Sequence, residues 1–125
     1  MGDVGCPFCN PSKEEIVLAN DLCYARYDNY PVSPGHLLVI PYRHVADFFD
    51  ATDEEQAALL ALVREAKTLL DERFLPAGYN IGVNVRAAAG QTVMHLHVHV
   101  IPRYAGDMED PRGGVRGAIP ERRVY

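Results

Sequence analysis

The sequence predicts an α+β domain: an antiparallel sheet of about five strands, one long helix packed on it, and a mostly irregular C-terminal tail. Three observations carry this. Several short stretches are apolar, either continuously or at every second residue, as buried strands are. One stretch of about 20 residues has apolar residues at helical spacing behind a capping signal. After Tyr104, Gly, Pro and Arg dominate and no period survives.

In chain order, residues 15–19 and 22–27 read as strands around Asn20-Asp21, a hairpin turn. Residues 28–35 are a loop with Pro31 and Pro34. Residues 36–40 form a strand of continuous apolar character, stopped by Pro41. Thr52-Asp53-Glu54-Glu55 is a capping box, in which Thr52 accepts from the Glu55 N–H and the Glu55 carboxylate reaches back. The helix runs to about Arg73. Its buried stripe is Ala58, Leu59, Leu62, Val63, Ala66, Leu69 and Leu70, and Pro76 and Gly78 end it. Residues 79–85 alternate, with Tyr79, Ile81, Val83 and Val85 on one face and Asn80, Gly82 and Asn84 on the other. Residues 86–92 are an Ala- and Gly-rich loop. Then comes His95-Leu96-His97-Val98-His99, followed by Val100, Ile101 and Pro102. Read as a strand, this places three imidazoles on one face and apolar side chains on the other. Such a row can donate, accept or attack near neutral pH.

Composition narrows the function classes. The chain has 125 residues, 48% hydrophobic and 23% charged, as expected of a single soluble domain over 1–125 with a core at 6–107 and a tail at 108–125. No apolar run approaches the ~20 residues of a membrane span. Residues 1–5 show neither a basic nor an apolar leader region, so no secretory signal is expected. A net charge of −5 argues against a protein that grips nucleic acid by its phosphates. Arg103, Arg112 and Arg116 are available to a small anion, or are simply solvated. Three cysteines, an odd number with Cys6-Pro7-Phe8-Cys9 too close for a typical structural disulfide, point to the cytoplasm. That pair has three readings. It is a redox dithiol, similar to the glutaredoxin active site although only five residues precede it. It is half of a zinc site completed by His44 and His95. Or it is two unliganded thiols. Cys23 reads as a small buried apolar residue.

The stretch from Ala89 to Arg103, with Gly90-Gln91-Thr92-Val93 ahead of the three histidines and Pro102-Arg103 behind them, resembles the histidine-triad superfamily. Pro34-Gly35-His36-Leu37-Leu38-Val39-Ile40-Pro41 is similar to that family's second landmark, and Cys6-x-x-Cys9 to the zinc-binding N-terminus of many bacterial members. The Gln-Thr-Val and Pro-Arg context leans towards the branch that includes the fragile-histidine-triad hydrolases. The resemblance implies a HIT-like fold and transfer of a nucleoside monophosphate through a covalent histidine intermediate. It puts the attack on the α-phosphate at His97, whose second ring nitrogen would be tied to the His95 carbonyl. His99 would face the same phosphate and its leaving-group oxygen, with His36 supporting from the neighbouring strand. Asn84 matches a phosphate donor, and Gln91 and Thr92 match a phosphate-contacting loop. Asp28 matches a ribose-binding position; its plainer reading is a turn aspartate before Pro31. Leu18, Leu22 and Ile40 are candidates for a base slot. Zinc, where members bind it, would sit on Cys6, Cys9, His44 and His95 as a closed structural site, and no catalytic metal is required.

The expected partner is therefore a small adenine nucleotide, and the expected assembly a two-fold dimer offering the helix that begins at Thr52. Residues 108–125 are expected to cover the site or to reach a partner subunit. The leading substrate class is dinucleoside polyphosphates, hydrolysed to AMP. Nucleoside phosphoramidates and phosphorolysis are the alternatives. A zinc-dependent hydrolase is a rival enzyme, against which no Asp or Glu lies within the triad strand. A nucleotide-binding module without turnover is the non-enzymatic rival.

Overall fold

A computed structural model describes residues 5–125; residues 1–4, on which the leader reading largely rests, lie outside them. Five strands build one antiparallel sheet: β1 (Leu18–Ala19), β2 (Cys23–Tyr27), β3 (Leu37–Pro41), β4 (Gly78–Gly82) and β5 (Val98–Arg103). Their spatial order is β1-β2-β3-β5-β4, so the strand latest in sequence lies between β3 and β4. The helix α1 (Asp53–Phe74) is the link between those two.

The period of two in the strands sorts the side chains. Ala25 stands opposite Val39, and Val39 opposite Val98. With Cys23, Leu37 and Val100 they face α1, which contributes Leu59, Leu62, Val63, Ala66 and Leu70 to the same buried core. The other face of the sheet carries a smaller cluster of Phe8, Tyr24, Leu38 and Ile40. That second face is the one that bears His99, opposite Leu38.

The capping box forms as the sequence predicts. Thr52 Oγ1 accepts from Glu55 N (3.0 Å), and the Glu55 carboxylate accepts from Thr52 N (2.8 Å). Glu55 also takes both arms of the Arg43 guanidinium, at 2.9 and 2.7 Å. The helix stops when Leu75 adopts a left-handed conformation (φ 53°), because Pro76 leaves no N–H to continue it. Thr52→Ala is expected to cost about 1 kcal/mol, read as a lower urea midpoint at unchanged slope.

Gly35 turns the chain into β3 with φ +89°, and a Cβ there would lie 2.9 Å from the Phe74 ring. Both the angle and the packing require glycine, and the turn sets the position of His36.

The strands are shorter than the periodicity suggests, for local reasons. Residues 15 and 16 turn back on Ser12 and Lys13, and the pairing with β2 starts with the Val17 N–H, at Ala25 O (2.8 Å). β4 ends at Gly82, opposite His99, rather than at Val85. β5 begins at Val98 rather than His95. The Pro41 carbonyl is taken by His95 Nε2 (2.8 Å), and the Leu96 N–H reaches Val45 O (2.8 Å), so the chain leaves the ladder to seat the His95 ring.

The tail holds only short 3-10 turns, Gly114–Ala118 and Pro120–Arg122. It is tied to itself: Arg116 donates to Arg122 O (3.1 and 2.8 Å), and Arg123 donates to the carbonyls of Asp110 (2.8 Å) and Arg112 (2.7 Å). Among the described residues, no helix is long and apolar enough to cross a membrane.

Candidate active site

The second face of the sheet holds a cavity of about 370 Å³. Phe8, Asp28, Asn84, Thr92, His97 and His99 are among its lining residues. They come from the N-terminal loop, the segments just after β2 and β4, the 86–92 loop, and β5 with its approach. Gly82 stands opposite His99 with no side chain of its own.

Hydrogen bonding fixes opposite tautomers on the two imidazoles. His97 Nδ1 lies 2.9 Å from the His95 carbonyl, which only accepts, so Nδ1 carries a proton, and a neutral His97 keeps its lone pair on Nε2. The second chain starts at Val32, whose N–H donates to His36 Nδ1 (3.0 Å). A neutral His36 therefore carries its proton on Nε2, which donates to His99 Nδ1 at 2.9 Å. His99 in turn holds its proton on Nε2. One imidazole is left with a basic nitrogen and the other with a donor, their ring centroids 5.1 Å apart.

Burial keeps the second chain neutral. It lowers the His99 pKa from the ordinary 6.5 to about 4, helped by the neighbouring His97 and His36. Burial also lowers that of His36, against the opposing pull of Asp28. Between pH 6.5 and about 4 the unfolded chain binds protons that the folded one refuses, so stability rises with pH across this window. The urea midpoint is expected to be full above pH 6.5 and to fall steadily as the pH drops towards 4.

Asp28 is a turn aspartate that also lines the cavity. One carboxylate oxygen accepts from Tyr30 N (2.9 Å), closing the turn, and the other lies 3.5 Å from His36 Nε2. Asp28, His36 and His99 converge closely enough to suggest a cation site. Chemistry argues otherwise: the Val32 N–H already takes the His36 Nδ1 lone pair, so a metal on Nε2 would demand an imidazolate.

A second cluster does fit a metal. Cys6, Cys9, His44 and His95 bring their ligand atoms within 4.8 Å of one another. Cys9 Sγ is 3.2 Å from His44 Nδ1, Cys6 Sγ is 3.3 Å from His95 Nδ1, and the two Nδ1 atoms are 3.2 Å apart. Tetrahedral zinc with bonds of about 2.3 Å to sulfur and about 2.0 Å to nitrogen needs edges of about 3.3–3.8 Å. His95 Nε2 donates to Pro41 O, which leaves Nδ1 bare towards the thiols. The cysteine pair thus faces two imidazoles, the arrangement of a ligand set.

Several expectations need correction. His95 does not share a face with His97 and His99: its ring is fully buried in the Cys/His cluster, and only its carbonyl serves His97. Gln91 is buried and turned away from the cavity. It accepts from Arg86 N (2.7 Å) and donates to Ala46 O (2.6 Å) and Val93 O (3.0 Å), so it braces the loop rather than offering its side chain to phosphate. Leu18 packs on the helix side, Leu22 is at the surface, and Ile40 is covered by its own cluster. The apolar lining comes instead from Pro7, Phe8, Leu38 and Val93. Arg103 is held by Asp107 and Asn80, Arg112 by Asp110, and Arg116 by Arg122 O, all outside this cavity. The sequence reading missed Phe8 and Arg26. Arg26 is a buried cation, paired with Glu15 (3.0 Å) and donating to Pro7 O (3.3 Å). The alternation of β2 carries its signal, since Arg26 follows Tyr24 onto the cavity face.

Comparison with known proteins places this geometry. The family model described as HIT domain matches residues 10–106. An AP-4-A phosphorylase of Mycobacterium tuberculosis is 43% identical over 93 residues, 74% of this chain and 48% of that protein. This chain therefore spans about half the length of that relative. A bis(5'-nucleosyl)-tetraphosphatase (asymmetrical) of Schizosaccharomyces pombe is 36% identical over 100 residues, 80% of this chain and 55% of that protein. A zinc-bound histidine triad family protein from Mycobacterium smegmatis superposes with a TM-score of 0.70 at 33% identity, covering 76% of this chain and 69% of that one.

Proposed function

The chain belongs to the histidine-triad (HIT) family, and from that premise we propose that it is a nucleotide hydrolase acting at the α-phosphate of dinucleoside polyphosphates and releasing AMP. The observation that carries this is the pair of opposed tautomers on His97 and His99.

His97 Nε2 attacks the α-phosphorus. A P–N bond forms and the bond to the leaving polyphosphate oxygen breaks, its electron pair leaving with that oxygen. The His99 Nε2–H stands beside the same phosphate and stabilises the charge on the departing oxygen. Asn84 and the Thr92 region meet the remaining phosphate oxygens, and Asp28 accepts from the ribose hydroxyls. Water then attacks phosphorus, the P–N bond breaks, and AMP leaves. His36 holds the His99 tautomer and does not touch substrate. Gln91 acts only by bracing the loop. Cys6, Cys9, His44 and His95 would hold zinc, and zinc there supplies a structural cross-link with no open position.

Phosphorolysis is a second reading, favoured by the phosphorylase relative. Inorganic phosphate would then replace water and the product would be ADP. The remaining proposals are a cytoplasmic location and a two-fold dimer. None of the three thiols is in a disulfide. β4 is a sheet edge on which Ile81 is half exposed.

The test is to incubate the protein with diadenosine tetraphosphate, diadenosine triphosphate or adenosine 5′-phosphoramidate, with and without phosphate, and to follow products by chromatography. AMP from the dinucleotides without phosphate supports hydrolysis. ADP formed only with phosphate moves the assignment to a phosphorylase. Faster turnover of the phosphoramidate overturns the polyphosphate leaving group, and AMP binding with no turnover of any substrate leaves a binding module.

A further inference from the structure

We propose that Phe8 is the positioning residue for the nucleophile His97, and that the Cys/His cluster works through it by clamping both ends of its short loop. The proposal rests on the reading of His97 given above.

Phe8 stands between the two cysteines, so the loop that carries it has one ligand at each end. Its ring lies edge-on to the His97 imidazole, with centroids 5.0 Å apart and planes at 63°. It also meets the His95 ring at 6.1 Å and 88°. Phe8 is nearly buried, on the apolar cluster of Tyr24, Leu38 and Ile40. Its loop is held from the sheet as well. The Tyr24 hydroxyl donates to Phe8 O (2.5 Å), Arg26 donates to Pro7 O (3.3 Å), and the Phe8 N–H points at Cys6 Sγ (3.4 Å).

His97 therefore has two holds on this side of the cavity. One is the bond from Nδ1 to the carbonyl of His95, which fixes the tautomer. A single hydrogen bond tolerates bending, so it still lets the ring rock about Cβ–Cγ. The second is the Phe8 edge, which packs against that rocking. Both holds lead back to the same cluster, because His95 contributes a ligand atom and Cys6 and Cys9 bracket Phe8. Attack needs Nε2 aligned with phosphorus, and a displacement of about 1 Å can cost about a hundredfold in rate.

The test uses Phe8→Ala and Phe8→Leu in the full chain, with bound zinc measured for each. For Phe8→Ala, kcat on the best dinucleotide is expected to fall about 10- to 100-fold, with KM and the AMP Kd within about threefold of wild type. The His97 imidazole signals in long-range ¹H–¹⁵N spectra are expected to be single and sharp in wild type, and broadened or doubled in Phe8→Ala. Phe8→Leu, which restores the bulk, recovers most of kcat and sharpens the signals. A rise in KM and AMP Kd at unchanged kcat would overturn the proposal and leave Phe8 as a wall of the nucleoside site. Unchanged His97 signals in zinc-loaded Phe8→Ala would overturn it too. A wild-type protein that turns over none of the substrates defeats the proposed function instead, and the His97 spectrum, which needs no substrate, still decides the role of Phe8.

Discussion

His97→Ala is expected to bind AMP and to lower kcat by at least about 10⁴-fold, the scale on which removing a nucleophile that acts with partners is felt. The argument is one of bonds. Without the imidazole no P–N bond forms, and water must attack directly with no group in line to replace Nε2. Affinity survives, because Asp28, Asn84 and Thr92 still line the cavity. His99→Ala removes a donor rather than the nucleophile and is expected to cost less, about 10²- to 10³-fold. AMP affinity by titration calorimetry alongside turnover checks both. Residual turnover of His97→Ala above about a hundredth of wild type would take the nucleophile away from this residue.

Cys9→Ala is expected to lose bound zinc and to melt at least about 10 °C below wild type. Structural zinc contributes about 10–16 kcal/mol in small metal-dependent peptides. Here the sheet and α1 have their own core, so a loss of about 3–5 kcal/mol is expected, with each kcal/mol worth about 3–5 °C at this length. The loop before β1 is also tied by Tyr24 to Phe8 O, Arg26 to Pro7 O, Arg26 to Glu15 and Val17 N to Ala25 O. Releasing it uncovers Tyr24, Leu38 and Ile40. Thermal melts with and without chelator, together with metal content, check this. Wild type without zinc and with a melt insensitive to chelator would leave the four side chains as an unliganded group.

Much of this was legible in the sequence because local chemistry and tertiary structure agree. The α1 capping box and apolar stripe are local patterns, and the burial of Leu59, Leu62 and Leu70 follows from them. Residues 23–27 and 37–41 were legible as strands because they are short, largely apolar runs, buried under the helix on one face and under the Phe8 cluster on the other. The clustering of Cys6, Cys9, His44 and His95 was also readable, since few other thiols and imidazoles exist to combine. Alternation misled at His95, because a strand period assumes a ladder, and that residue sits where the chain has left one. Gln91 misled for a different reason. A polar side chain in a loop reads as available, but the turning backbone around it leaves polar groups that must be satisfied, and Gln91 satisfies three of them. The base-slot residues failed because a strand's apolar character does not say which side chains end beneath others. Phe8 was invisible as a site residue, since only the folded N-terminal loop brings it over the sheet, whereas Arg26 was readable from its place two residues after Tyr24 in β2.

The order β1-β2-β3-β5-β4 also bears on how the protein is made. β5 follows β4 in synthesis yet occupies the place between β3 and β4, so neither has its central neighbour until about residue 103 has emerged from the ribosome. Until then the apolar run of Leu37–Pro41 keeps an open edge able to pair with another nascent chain. The late strand closes that edge and in the same step delivers His97 and His99 to His36 and Asp28. Completing the sheet and assembling the site are one event, and the nascent chain has neither before it.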